Sequence, residues 1–487
     1  MGYIVKRKMC YDKHVMMYNK RTKIVATIGP ASSSVGVLRS MIKNGMNVAR
    51  INCSHGSHEE YRALISAVRT ASAEEGANVA ILLDLCGPKL RIGDFSTETV
   101  TLQKGKQFVL TTEKVVGDGS IVGVNYKKLA QEVREGMAIM LDDGKLVLRV
   151  QRVEGDRIMT KVEIGGTIRS RRGMNVPNAD LSISAITAKD KKDIEFGIKE
   201  KVDFFALSFV RHEKDILALR KMLMTKGSPA GIIAKIETQG AMDRLGEIIE
   251  ASRGVMVARG DLAVEIAKEE VPLAQKEIIR ASNRAGKTVI TATQMLDSMT
   301  TSSTPTRAEV GDVANAIFDG TDAVMLSQES AMGVDPAHVI ETMASIARYT
   351  ETSILYEESV SRWRDDAEGI VDTISSAVTR SVDESGAKVI VALTESGFTP
   401  RMVSRHKPQV PVLALTPNET THRQLALTYG INSLVTEGVR DIESALALAR
   451  KELLRTKLAK KGDTFILVFG IPFGHRGGTN TMVIQTV

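Results

Sequence analysis

From about residue 22 onward, short apolar runs rich in β-branched residues alternate with longer amphipathic stretches. The runs read "KIVATIG" (23–29), "NVARINCS" (47–54), "VAILLDL" (79–85), "DFFALSFV" (203–210), "GIIAKIE" (231–237), "GVMVARGD" (254–261), "TVITATQ" (288–294) and "AVMLSQE" (323–329). Segments between them, such as "EVPLAQKEIIRASNRAG", repeat apolar residues at helical spacing. Strand–helix units in series predict a parallel sheet, and eight of them are the number that closes a (β/α)8 barrel. Each run after the first ends in polar side chains: Arg50, Asn52 and Ser54; Asp84; Ser208; Lys235 and Glu237; Arg259 and Asp261; Thr293 and Gln294; Ser327 and Glu329. In a barrel the carboxyl ends of the strands form one rim, and barrel enzymes carry their sites there. A purely structural pattern would scatter polar residues over both ends.

The spacing breaks once. Residues 89–185 alternate with period two ("VTLQKGKQFVLTT", "MAIMLDDGKLVLRVQRVEGDRIMTKVEIGG") around Gly and Asp-Gly turns, which marks an inserted all-β domain placed at the rim as a lid. The barrel is therefore assigned to 21–88 and 186–350. From 351 to 487 a new rhythm, "KVIVALTESG", "VPVLALTPN", "NSLVTEG", "DTFILVFG" and "TMVIQTV", predicts a smaller C-terminal α/β domain. Its turn "TESGFT" (394–399) follows a strand and offers hydroxyls and backbone N–H groups to a phosphate, with Thr394, Ser396 and Thr399 as candidates.

Composition narrows the function classes. A chain of 487 residues, 43% hydrophobic and 25% charged, is an ordinary globular balance with material for about three domains. No apolar run approaches the roughly 18 residues that span a bilayer. The net charge of +7 is concentrated in the first 23 residues, where Lys6, Arg7, Lys8, Lys13, Lys20, Arg21 and Lys23 face only Asp12. The rest is near neutral, which argues against a nucleic-acid partner. Residues 1–20 lack the apolar region of a signal peptide and are read as a disordered extension. Three cysteines, Cys10, Cys53 and Cys86, suggest no disulfide framework, and a reduced, cytoplasmic setting is the inference. "HGSH" (55–58) lacks the further ligands of a zinc site, "AGKT" (285–288) lacks the earlier glycine of a P-loop, and "GDGSIVG" (117–123) has the wrong glycine spacing for a dinucleotide fingerprint.

The rim is left as the chemical centre. Lys235 and Glu237 share a face of one strand, and Asp261 closes the next. Two hard oxygen ligands with open positions suit Mg2+ or Mn2+. Lys235 supplies a point charge and Arg50 a bidentate clamp for phosphate, the groups that phosphoryl transfer requires.

Residues 21–487 resemble the pyruvate kinase family, in particular its bacterial type II, K+-independent branch. The blocks "TKIVATIGPAS", "NVARINCSHG", "LDLCGPKLRIG", "IIAKIET", "MVARGDLAVEI", "TATQMLDSM" and "DAVMLSQESAMG" carry the resemblance in order. It implies a cytoplasmic homotetramer that moves phosphate from phosphoenolpyruvate to ADP, giving ATP. By the same resemblance, Glu237 and Asp261 hold Mg2+, Lys235 stabilises the transferring phosphoryl group and Arg50 grips it. Gly260, Asp261 and Thr293 bind phosphoenolpyruvate, with Ser327 in the proton relay. Nucleotide contacts fall on His55, Arg91 and Arg172. The other readings considered are a different Mg2+-dependent barrel enzyme acting on pyruvate or phosphoenolpyruvate, and an inactive metabolite-sensing relative.

Some positions depart from the family pattern. The monovalent-cation pocket matches Asn52, Ser54, Asp84 and the carbonyl of Leu85, but Lys89 stands where the K+-requiring branch resembles Glu, and Leu85 where it has Thr. An ammonium from Lys89 in place of K+ predicts activity without K+. Ala263 replaces a usual Gly. Phe398 replaces a basic residue common in relatives, so the effector, a phosphorylated sugar or AMP, is not fixed by the turn at 394–399 or by the loop "IPFGHRGGTN" (471–480).

Overall fold

The computed structural model describes residues 20–177, 179, 181–361, 369–473 and 478–487. Eight parallel strands close into a barrel: β1 (Lys23–Thr27), β2 (Val48–Asn52), β3 (Ala80–Asp84), β4 (Phe204–Leu207), β5 (Gly231–Ile236), β6 (Gly254–Ala258), β7 (Thr288–Ala292) and β8 (Ala323–Leu326). Each pairs with its neighbour in this order, and β8 returns to β1 with Ile24 opposite Val324. The strands are buried on both faces, which is why their sequences are continuous apolar runs.

Alternation places the site. Val25, Val48, Leu82, Phe204, Ile233 and Met256 pack together in the lumen. Ile24, Ile51, Leu83, Phe205, Ala234 and Val257 pack outward with the helices. Positions two residues beyond a lumen side chain also face inward. Arg50 follows Val48, Asp84 follows Leu82, Ser208 follows Ala206, and Lys235 and Glu237 follow Ile233, so these polar groups crown an apolar plug. Burying each large apolar side chain contributes about 1.5–3 kcal/mol, which offsets the desolvation of the charges above them. The other end of the lumen is closed by Ala426 and Leu427 from the C-terminal domain.

Between β3 and β4 the chain forms a six-stranded sheet and a two-stranded antiparallel ribbon, Thr99–Leu102 with Gly166–Arg169, around a core of its own. The turn after Ala138–Leu141 runs through Asp142, Asp143 and Gly144 at φ 51, 58 and 79, left-handed values that Asp tolerates and Gly favours. The C-terminal domain has β9 (Val389–Leu393), β10 (Val412–Thr416), β11 (Ile431–Val435), β12 (Thr464–Phe469) and β13 (Thr481–Thr486), ordered β11-β10-β9-β12-β13 with only β13 antiparallel.

The N-terminal extension lies outside the described residues except for Lys20. That residue is a correction to the expected disorder. It is buried, because its ammonium donates to the carbonyl of Thr22 at 2.6 Å and to Asn47 Oδ1 at 2.8 Å. No helix among the described residues is long and apolar enough to cross a membrane.

Candidate active site

Lys235 stands at the centre of the barrel mouth. Its Nζ lies 2.8 Å from Glu237 Oε1 and 3.5 Å from Asp84 Oδ1, and donates to Ser208 Oγ at 2.8 Å. Ser208 Oγ passes the chain on to the carbonyl of Leu85 at 2.7 Å. Arg50 Nε donates to Asp84 Oδ2 at 2.7 Å and Nη1 to Thr27 Oγ1 at 2.8 Å. Its Nη2 makes no hydrogen bond among the described residues and is available to an anion.

The charges tune one another. Burial alone would lower the Lys235 pKa, but Asp84, Glu237 and Asp261 together raise it above the ordinary lysine value, so the ammonium is permanent. Burial would raise Asp84, yet Lys235 and Arg50 hold it below the usual carboxylate range. Glu237 is pushed up to about 7 by burial, with Asp261 adding to the shift and Lys235 opposing it.

Strained backbone frames this cluster. Phe209 has φ 53, and this left-handed turn directs its N–H to Glu237 Oε2 at 2.6 Å. Thr293 and Gln294, at the end of β7, have φ 70 and 55. Thr293 Oγ1 there accepts from Gly260 N at 2.9 Å and donates to the carbonyl of Ala292 at 2.7 Å. The helix Arg259–Glu265 begins at that point, pinned by Arg259 to Asp312 Oδ1 at 2.6 Å, and carries Gly260 and Asp261 in its first turn.

The donor set fits a divalent cation. Glu237 Oε1 is buried and, although close to Lys235 Nζ, lacks the angular alignment of a hydrogen bond. An orphaned carboxylate oxygen beside a second carboxylate, Asp261, is a hard two-ligand site. Among the described residues no cluster of three or more His, Cys, Asp or Glu could hold a metal. Glu237 and Asp261 would therefore leave most positions on the ion to substrate oxygens and water.

A cavity of about 780 Å³ opens above, between the barrel and the inserted domain. It reaches the cluster through Asp261, Phe209 and Thr238. Arg91 and Arg172 line it. Arg91 Nη1 donates to the carbonyl of Arg171 at 2.9 Å, and Arg172 sits 3.5 Å from Asp142. His55 is exposed on the rim and outside this lining. Ser327 closes β8 with its N–H on Glu329 Oε2 at 2.7 Å, and has no bond to Lys235 or Thr293. Arg211, Arg244 and Asp142 also face the cavity and were not singled out in the sequence. The only sequence signal for Arg211 is its place just beyond the β4 run.

Two expectations need correcting. Asp84 is not a vacant pocket ligand, since Arg50 and Lys235 both bind it, and the Leu85 carbonyl is engaged by Ser208. Lys89 does not place its ammonium among Asn52, Ser54 and Asp84. It is exposed on the cavity wall without a side-chain partner among the described residues, and Asn52 Oδ1 instead accepts from Ser54 N at 3.1 Å. In the C-terminal domain Thr394, Ser396 and Thr399 border a cavity of only about 70 Å³. Thr394 Oγ1 accepts from Gly397 N at 2.9 Å, and the Thr399 hydroxyl shares a 2.7 Å bond with Thr479. Residues 474–477 of the neighbouring loop lie outside the described residues.

A closed parallel barrel with a lysine, an arginine and buried carboxylates at its carboxyl rim has the groups that a phosphotransferase needs. Residues 19–340 match the family model described as pyruvate kinase, barrel domain, and residues 372–485 match that for the pyruvate kinase alpha/beta domain. The pyruvate kinase of Clostridium perfringens is 41% identical over 96% of this chain and 100% of its own length. That of Geobacillus stearothermophilus is 43% identical over 96% of this chain and 80% of its own. A crystal structure of a pyruvate kinase from Cryptosporidium parvum superposes with a TM-score of 0.92 at 33% identity, covering 100% of this chain and 99% of that one. The chain belongs to the pyruvate kinase family.

Proposed function

We propose that this protein transfers the phosphoryl group of phosphoenolpyruvate to ADP, yielding pyruvate and ATP. The observation that carries the reading is the buried ammonium of Lys235, held between Asp84 and Glu237 at the mouth of the barrel. A β-phosphate oxygen of ADP attacks phosphorus, the bond from phosphorus to the enol oxygen breaks, and the resulting enolate takes a proton at carbon. Charge builds on the phosphoryl oxygens in between, where Lys235 and the free Nη2 of Arg50 stabilise it. A Mg2+ or Mn2+ ion on Glu237 and Asp261 would supply the remaining charge neutralisation. Gly260, Asp261 and Thr293 position the substrate, Ser327 joins the proton relay, and His55, Arg91 and Arg172 hold the nucleotide.

Activity without K+ belongs to the same proposal and rests on Lys89 supplying positive charge from the cavity wall. A phosphorylated sugar or AMP acting through the C-terminal domain, a homotetramer and a cytoplasmic setting complete it. The exposed apolar residues Tyr349, Ile354 and Leu355 support self-association. The experiment is pyruvate formation from phosphoenolpyruvate and ADP with Mg2+. Absence of turnover in folded, metal-supplied protein overturns the reading.

A further inference from the structure

The helix Ala188–Lys199 follows the inserted domain and precedes β4, and three of its polar side chains reach the chain beyond β2 and β3. Lys189 Nζ donates at 2.6 Å to the carbonyl of Cys53, the first residue past β2. The same ammonium donates to Asp193 Oδ2 at 2.7 Å, and Asp193 Oδ1 shares a 2.7 Å hydrogen bond with His58 Nε2. Asp190 Oδ1 accepts at 3.2 Å from the N–H of Gly87, beyond β3. Both acids are buried.

These side chains take over where the barrel's own ladder ends. Cys53 N still donates to the carbonyl of Asp84 in β3 at 2.9 Å. Beyond it the backbone is held by side chains: the Cys53 carbonyl by Lys189, Ser54 N by Asn52 Oδ1 at 3.1 Å, and the His55 carbonyl by the Tyr61 hydroxyl at 2.6 Å. Asp193 cannot turn away from this arrangement. Each of its oxygens is engaged, and the His58 ring that meets one of them is stacked on Phe196 with centroids 4.6 Å apart. Partial burial alone would lower the Lys189 pKa, but Asp193 raises it, so the ammonium persists. A charged donor on a carbonyl is a strong hydrogen bond, and here a buried carboxylate fixes its direction.

We infer that Lys189 and Asp193 are positioning residues for the nucleotide, an inference that rests on the proposed transfer to ADP. Neither is part of the main cavity wall, so they act through the backbone they hold. Lys189 fixes the start of the segment that presents His55. Asp190, one residue further along the helix, fixes the segment that leads to Arg91 on the cavity wall. One helix thus sets the separation of two nucleotide contacts. The groups for phosphoenolpyruvate are anchored differently. Arg50 lies inside β2, in register with Thr27 and Leu82 and bonded to Asp84, and Lys235 lies inside β5. Loosening the grip of Lys189 therefore displaces the ADP contacts and not those of phosphoenolpyruvate, and a small misplacement of a binding group is costly.

The test is steady-state kinetics of the full chain with each substrate varied in turn. Lys189→Met is expected to raise the KM for ADP by about three- to tenfold, the scale of one lost hydrogen bond, with little change in kcat or in the KM for phosphoenolpyruvate. Lys189→Arg, which keeps a cationic donor, should recover most of the loss. A lysine that only stabilises the fold would leave the two KM values in proportion. The Lys189 side chain is 48% exposed, and that of His58, on the other flank of Asp193, is 40% exposed. Should Lys189→Met not fold, His58→Leu reads the same selective rise in the KM for ADP. The inference is overturned if the variant leaves that KM unchanged, if both KM values rise together, or if Lys189→Arg is no better than Lys189→Met. Absence of turnover in the wild type overturns the proposed function as well, which separates the two failures.

Discussion

Lys235 Nζ lies 2.8 Å from Glu237 Oε1, two residues further along the chain, and both side chains point into the mouth of the barrel. Residues two apart share a strand face, so this contact follows from the local sequence, while Asp84 at 3.5 Å comes from a strand two places away. The ammonium thus neutralises two buried carboxylates and stays charged for a phosphoryl group. Lys235→Met should lower kcat by roughly 10²–10³-fold or more, with a smaller change in the KM for phosphoenolpyruvate. Steady-state kinetics on protein of unchanged circular dichroism checks it, and near-normal kcat would show that the lysine is structural.

Metal binding should be coupled to a proton on Glu237. Its carboxyl is raised to about 7, chiefly by burial, so below that pH a proton occupies the oxygens a cation needs. Affinity for Mn2+ is expected to fall as pH drops through about 7, and Glu237→Gln to weaken it by on the order of 10²-fold and flatten the pH profile. Paramagnetic resonance of free Mn2+ gives the readout without turnover. An unchanged affinity in the variant places the ion elsewhere.

The cluster was legible in sequence as far as period two reaches. Arg50, Asp84, Ser208, Lys235 and Glu237 all stand two or four residues past a lumen residue, which the apolar runs announce. Which of them touch was not legible, because the stagger between β2, β3 and β5 is a property of barrel closure. The family resemblance implies a monovalent-cation pocket for Asp84, whereas in the structure Asp84 pairs with Arg50 and Lys235. The left-handed Phe209 that aims an N–H at Glu237 leaves no mark in composition, since only tertiary packing holds a bulky residue there. Asp142 reaches the cavity by long-range placement of the inserted domain, which no local pattern encodes, whereas Arg211 is marked only by its place just beyond β4.

Lys89 offers a test of the monovalent-cation proposal. Its exposed ammonium faces the main cavity and adds positive charge without a described side-chain partner. Wild-type activity in buffer free of Na+ and K+ should match that with K+, and Lys89→Glu should become stimulated by K+ on the order of tenfold, the scale of coupling between two ligands. Strong K+ stimulation of the wild type, or none in the variant, removes Lys89 from the account.

Lys407 and Asp322 join the C-terminal domain to the start of β8. The fully buried Nζ donates to Asp322 Oδ1 at 2.8 Å and lies 4.6 Å from the centre of the Tyr429 ring. Lys407→Met strands a buried carboxylate and should destabilise the protein by about 3–5 kcal/mol. Adding Asp322→Asn should recover part of that loss, since the stranded charge disappears. Urea unfolding of Lys407→Met, Asp322→Asn and the double variant checks it, and additive effects would deny the pairing.

Lys20 makes stability depend on alkaline pH. Its pKa is lowered to about 7, first by burial and then by Lys23, with Glu351 opposing. The folded value lies below the unfolded one of 10.5, so between about 7 and 10.5 the unfolded chain holds a proton that the folded chain has released. Stability therefore rises with pH across that window, by about 1.4 kcal/mol per unit for one proton. Lys20→Met has no such proton. The stability of wild type relative to the variant should be flat below about pH 7 and climb above it. Lys23, lowered to about 8 chiefly by burial, remains in both proteins and largely cancels from the difference. Parallel stability curves from neutral to alkaline pH would mean that Lys20 keeps its proton in the folded state, its ammonium sustained by the Thr22 carbonyl and Asn47 alone.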